Sequence, residues 1–130
     1  MPRSAKTPPP RFEGEVAAWA AVGAGWRQLF GSFGDLGFSL EWHDFQASGP
    51  IDWARSFHPG SVELCLNLLG EGSVEAGNRA ARFGNQTAGF YRQGRIPLSA
   101  MRAAGQTHRF ITVEFRPDFL GDRKSTRLNS

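Results

Sequence analysis

Three histidines, one cysteine and a set of strand-borne aromatics are the residues of this 130-residue chain with chemistry to offer. His43, His58 and His108 are the metal candidates, because neutral imidazole is a common ligand of first-row metals. A metal site on a β-hairpin needs two histidines one residue apart with a Glu nearby. It also needs a third His from a later strand, all pointing inward. No His-x-His occurs, and His58 and Glu63 lie five apart across a turn, which does not build a facing pair on one strand. The spacing argues against a metal centre, and the histidines read as polar barrel or surface residues. Cys65 lies within an apolar run and reads as an inert packed thiol rather than a thiolate nucleophile. A single cysteine excludes an internal disulfide and a Cys-rich zinc site. Neither a Gly-x-Ser-x-Gly elbow nor a phosphate-binding loop is present, so the Gly-rich stretches read as turns.

Aromatic side chains outnumber what turns require. Trp42, Trp53, Phe90 and Tyr91 sit in strand-like segments beside His43, Arg92, His108 and Arg109. In a small closed barrel, aromatic walls with a few polar tips make a ligand pocket. Trp42, Tyr91, Arg92 and His108 are the expected ligand contacts, with no catalytic group and no cofactor. The competing reading is that the apolar members simply fill the core. Alternation alone does not say which face is inward.

The elements that must carry these residues follow from periodicity. Residues 16–33 place Trp19, Val22, Trp26, Leu29, Phe30 and Phe33 at spacings of three and four, which predicts one or two short amphipathic helices split near Gly23 and Gly25. From Gly37 the period changes to two. In 37–45, Phe38, Leu40 and Trp42 alternate with Ser39, Glu41 and His43. In 61–69, Val62, Leu64, Leu66 and Leu68 share a face. In 107–115, Arg109, Ile111, Val113 and Phe115 oppose His108, Phe110, Thr112 and Glu114. Shorter strand candidates lie at 51–57, 72–77, 81–84, 87–92 and 97–103, with turn signals between them. About eight short strands at this spacing predict a sandwich or closed barrel rather than a parallel sheet.

The net charge of +3 is unevenly placed. Residues 1–11 carry three cations and no acid, and residues 122–130 three cations and one acid, whereas 12–121 hold nine Arg, no Lys and eleven acids. A domain that grips nucleic acid concentrates cations on its folded body; this body is slightly acidic. Residues 1–12 are expected to be an unstructured, proline-rich leader. Glu13 and Glu15 argue against a secretory signal, and no apolar run reaches membrane-spanning length, so a cytoplasmic protein is expected. Residues 122–130 match, without a gap, one reading frame of a common short-read sequencing adapter. They are expected to be foreign, leaving 13–121 as the domain.

With this pattern in hand, the chain resembles the N-terminal domain of AraC-type bacterial transcription regulators. The resemblance is carried by FHPGSVELCLNLLGEGSVEAG at 57–77, TAGFYRQGRIPLSA at 87–100, GQTHRFITVEFRPDFL at 105–120 and WRQLFGSFGDLGFSLEWHDF at 26–45. It implies a mostly β, cupin-like jelly-roll barrel with short N-terminal helices, which senses a small-molecule effector or mediates homodimerisation. It further implies promoter DNA as a partner only through a separate helix-turn-helix domain that would follow PDFL, no enzymatic activity and no membrane association. The rivals are a stand-alone cupin metalloenzyme acting on a small metabolite and a non-catalytic binding module.

Overall fold

Period-two alternation from Phe38 onward does build long strands, and their pairing defines the molecule. The computed structural model describes residues 13–118; the expected leader and the expected adapter-derived tail lie outside them. The chain begins with helix α1 (Glu13–Trp19), followed by 3-10 turns over Ala20–Gly25 with a kink at Gly23. Gly25 passes so close to the next long strand that a Cβ there would sit 2.7 Å from the Asp44 carbonyl oxygen.

The second predicted helix is instead a strand, β1 (Trp26–Ser32). Its pairing slips between Gln28 and Phe30, so Arg27 lies beside Trp42 and Phe30 beside Leu40. A bulge of this kind adds one residue and puts positions three apart on the same face. The spacing of Trp26 and Phe30 that suggested a helix spans both faces of this strand, since Trp26 pairs with the inward His43 and Phe30 with the outward Leu40. Helical structure resumes only for one turn, α2 (Phe33–Leu36), which Gly37 ends in the left-handed region at φ 87°.

The remaining strands are β2 (Phe38–Ala47), β3 (Ile51–Asp52), β4 (Val62–Leu69), β5 (Gly72–Ala76), β6 (Arg79–Phe83), β7 (Thr87–Arg92), β8 (Ser99–Arg102) and β9 (Gln106–Phe115). The 51–57 candidate yields only the two residues of β3. The Asp52 carboxylate then accepts from the Ala54 N–H at 3.1 Å and starts a 3-10 turn over Ala54–Ser56. One sheet has the order β1-β2-β9-β4-β7 and the other β3-β8-β5-β6, with every pairing antiparallel. The chain passes between the sheets after β2, β3, β4, β6, β7 and β8. This is the jelly-roll that the resemblance implies, and it falls within the sandwich-or-barrel class that the alternation predicts.

The five-stranded sheet is inverted relative to a simple hydrophobic-in pattern. On β4 the apolar face of Val62, Leu64, Leu66 and Leu68 points outward, while Glu63, Cys65 and Asn67 are buried. On β2 and β9 the buried residues are Ser39, Glu41, His43, Phe45, Ala47, His108, Phe110, Thr112 and Glu114. The apolar core therefore comes mainly from elsewhere: Trp19, Trp53, Phe57, Val74, Phe83 and Ala100 close over the sheet and pack on Phe45, Cys65 and Phe110.

Candidate functional site

Register stacks the inward residues into rungs. Ser39, Glu114, Glu63 and Tyr91 form one rung across β2, β9, β4 and β7, and Glu41, Thr112, Cys65 and Gly89 form the next. His43, Phe110 and Asn67 make a third, and Phe45 and His108 a fourth. The interior thus has a carboxylate end and, beyond an aromatic middle, an arginine end.

At the carboxylate end, Glu15 descends from α1 toward Glu41, Glu63 and Glu114, and all four are buried. Glu41 accepts from the Trp26 indole N–H at 2.9 Å and from the Ser39 hydroxyl at 3.3 Å. Glu63 accepts from the Tyr91 hydroxyl at 2.8 Å. Burial, reinforced by the Glu114 charge and further by Glu41 and Glu15, raises the Glu63 carboxyl well above the usual range, against the opposing effect of the Tyr91 hydrogen bond. Burial and the Glu63 charge likewise raise the Tyr91 phenol. Glu114 is held by three donors from the turn before β4. The His58 N–H donates at 2.8 Å, the Ser61 hydroxyl donates at 2.6 Å, and the His58 ring Nδ1 lies 2.8 Å from Glu114 Oε1. Phe33 stacks on the other side of the His58 ring at 3.9 Å. Glu15, His58 and Glu114 each offer a ligand atom, all within 4.8 Å of one another, and among the described residues they form a group able to hold a metal ion.

Next to Glu15 a narrow cleft of about 170 Å³ is lined by Trp19, Glu41, His43, Trp53, Ser56, Glu63 and Thr112. As packed it is too tight for a water-sized sphere. The Trp19 and Trp53 indole nitrogens and His43 Nδ1 are buried there without a hydrogen-bond partner. His43 lies face to face with Phe110 (4.2 Å, 6° between planes), and its Nε2 meets the Thr112 hydroxyl at 3.2 Å. Burial, then the Arg102 charge, push its pKa down to about 3, so the ring is neutral and its 3.8 Å approach to Glu41 is no ion pair.

At the arginine end, Arg102 is fully buried over the Phe110 ring at 4.1 Å. It donates to Asn67 Oδ1 at 2.7 Å, His108 Nδ1 at 3.1 Å and the Leu69 carbonyl at 3.3 Å. Burial lowers its pKa to about 10, which still leaves it a cation near neutral pH. Burial also lowers the His108 pKa, although the bond between Nε2 and the Ala103 carbonyl opposes this. Gly70, at φ 95°, is required here, because a Cβ would collide with the His108 ring.

Of the four expected ligand contacts, Tyr91 and His108 point inward, at opposite ends of the interior. Trp42 and Arg92 lie on the outer face, Trp42 paired with Ile111 and Arg92 with Val62. The structure therefore does not bring the four together. Cys65 is fully buried, and burial with the Glu63 charge pushes its thiol up to about 12, as an inert packed thiol should behave. Sequence reasoning weighed Glu63 only as a metal partner of His58 and assigned no role to Glu15, Glu41, Glu114, Asn67 and Arg102. A signal for three of them was present: Glu41, Glu63 and Glu114 interrupt three long strands at the parity opposite the aliphatic residues.

No family model matches the chain, and no curated protein matches its sequence. Solved structures do match. An HTH_3 family transcriptional regulator from Vibrio cholerae superposes with a TM-score of 0.54 at 14% identity, over 71% of this chain and 50% of that one. The Cupin_2 domain of an XRE family transcriptional regulator from Enterobacter cloacae gives 0.53 at 14% identity, over 71% of this chain and 95% of that domain. The EutQ protein of Clostridium difficile gives 0.50 at 14% identity, over 72% and 63%. This chain thus spans half of the first of these proteins and less than two thirds of the last. The fold is a cupin fold, of a kind that also occurs within transcription regulators. Among the described residues no helix is long and apolar enough to cross a membrane.

Proposed function

We propose that this chain is the effector-sensing and dimerisation domain of an AraC-type transcription regulator, a cytoplasmic protein and not an enzyme. The observation that carries the sensing role is the interior cleft. Two indole N–H groups and one imidazole nitrogen are buried there unpaired, beside three carboxylates. Unpaired buried polar groups cost about 1–3 kcal/mol each, and a polar ligand that pairs them recovers this. The effector is accordingly a small polar molecule bearing both acceptors and donors. It enters by displacing α1, whose Glu15 and Trp19 form one wall of the cleft. The apolar outer face of the five-stranded sheet supports the second role. Phe30, Leu66, Leu68 and Phe90 are exposed on it, and exposed apolar side chains of this kind suit a second copy or a neighbouring domain. Promoter DNA would be bound by a separate domain, whose population or orientation the effector shifts.

Thermal-shift screening of the purified chain against small polar metabolites tests this reading. An effector should raise the unfolding free energy, by about 2.7 kcal/mol at roughly a hundredfold excess over Kd. The gain should shrink in Trp53→Phe, which removes an indole N–H. Chemical turnover of a stabilising compound would instead favour the metabolite-processing cupin enzyme.

A further inference from the structure

We propose that Glu15, His58 and Glu114 bind one divalent transition-metal ion that latches α1 onto the barrel. The three ligands come from the N-terminal helix, the turn before β4 and the last strand, and their ligand atoms already lie within 4.8 Å of one another. This differs from the single-hairpin arrangement sought in the sequence.

Electrostatics favours a cation here. Glu15, Glu41, Glu63 and Glu114 converge in a buried region, where like charges repel far more strongly than in water. Glu63 and Glu114 are direct cross-strand partners on the inward face, a placement unfavourable for two like charges. Trp26, Ser39, Tyr91 and Ser61 give Glu41, Glu63 and Glu114 neutral donors, and the His58 ring adds a contact to Glu114 that is an ion pair only when the ring is protonated. A doubly charged ion among these carboxylates offsets the repulsion as no neutral donor can. Beside these ligands, His43, 1% exposed and with its Nδ1 unpaired, lines the adjoining cleft that Glu15 also lines.

The donor set selects the ion. Mg²⁺ and Ca²⁺ take oxygen ligands, and Mg²⁺ keeps several waters. One imidazole and two carboxylates suit Zn²⁺, Co²⁺ or Mn²⁺, and the tight packing beside Glu15 favours a site with little water. Tetrahedral bonds of about 2.1 Å place ligand atoms roughly 3.4 Å apart. The 2.8 Å contact between His58 and Glu114 therefore opens slightly, and Glu15 moves in. The imidazole proton shifts to Nε2 as Nδ1 takes the ion. α1 already packs on the 3-10 turn of Ala54–Ser56, so the ion adds a bond from this helix to the strand core.

The test uses the full chain after chelator treatment, titrated with Co²⁺ and followed by visible d–d absorption. Saturation at one ion per chain, displacement by Zn²⁺ and slower amide exchange in residues 13–19 with the ion bound are expected. Glu15→Gln should lose stoichiometric uptake while keeping its circular dichroism, and Glu71→Gln at the opposite end should bind as the parent does. His58→Gln serves as the second ligand variant, and whichever variants fold should fail to saturate. Non-saturating uptake by the parent chain, uptake by Glu15→Gln equal to the parent's, or exchange in 13–19 unchanged by the ion would each overturn the proposal.

Discussion

The two faces of the five-stranded sheet are made from the same strands and alternate residues, yet they obey opposite rules. The outward residues of β2, β4 and β9 include Phe38, Leu40, Trp42, Leu64, Leu66, Ile111 and Val113, which a hydrophobic-in rule would bury, beside the polar Asp44, Gln46 and Arg109. The inward ones include Glu41, His43, Glu63, Asn67, His108 and Glu114, which it would expose. What the difference teaches is that the inner face is built for specific polar pairing and the outer face for contact. Stability is supplied by the aromatics that close over the polar rungs. Trp19, Trp53 and Phe110 stack within about 6 Å of one another and of His43 or Tyr91.

If that division is right, the largest stability losses come from the closing aromatics. Trp53→Ala, at a site with no exposure, should cost about 3–5 kcal/mol, read from urea unfolding. A loss below about 1 kcal/mol would mean that the polar rungs, not the aromatic lid, hold the interior.

Next come the polar pairings of the inner face. Asn67 accepts from Arg102 and donates to the Gly70 and Gly84 carbonyls, at 2.7, 2.8 and 2.6 Å respectively. Asn67→Ala leaves these groups unpaired and should cost about 1–3 kcal/mol. An unchanged denaturation midpoint would show that water replaces the side chain freely.

A pH series isolates His43. Its folded pKa of about 3 lies below the ordinary 6.5, so below pH 6.5 the unfolded chain binds the extra proton. Stability should therefore decline as pH falls from about 6.5 toward about 3, and His43→Gln should flatten that part of the curve. Parallel acid limbs for the two proteins would place the loss in other groups.

The smallest stability effect belongs to the outer face. Phe90 is 71% exposed and Leu66 39%. Phe90→Ser and Leu66→Thr should each change stability by no more than about 0.5 kcal/mol, while lowering concentration-dependent association in light scattering. A large stability loss with unaltered association would reverse the roles assigned to the two faces.

The fold was legible because period-two alternation survives whichever face is buried. For the same reason the site was not. Val62, Leu64, Leu66 and Leu68 announce a strand without announcing their side, and the buried Glu63 reads like any solvent-facing acid. Trp42 and Arg92 were reasonable ligand contacts only if their parity faced inward. Arg102 carried no signal, since its neutral acceptors, Asn67, His108 and the Leu69 carbonyl, come from β4 and β9 and meet only in three dimensions. β1 was misread because Trp26, Leu29, Phe30 and Phe33 fall at spacings of three and four although they span both faces of a bulged strand and a one-turn helix.

That bulge also governs how copies of the chain can meet. β1 forms one border of the five-stranded sheet, and a border strand offers unpaired backbone groups to any strand laid alongside it. The slip between Gln28 and Phe30 breaks the even ladder that such a neighbour would need. Along this border, strand-by-strand extension, which is open-ended, is thereby disfavoured relative to stacking across the apolar outer face, which ends when two copies have covered each other.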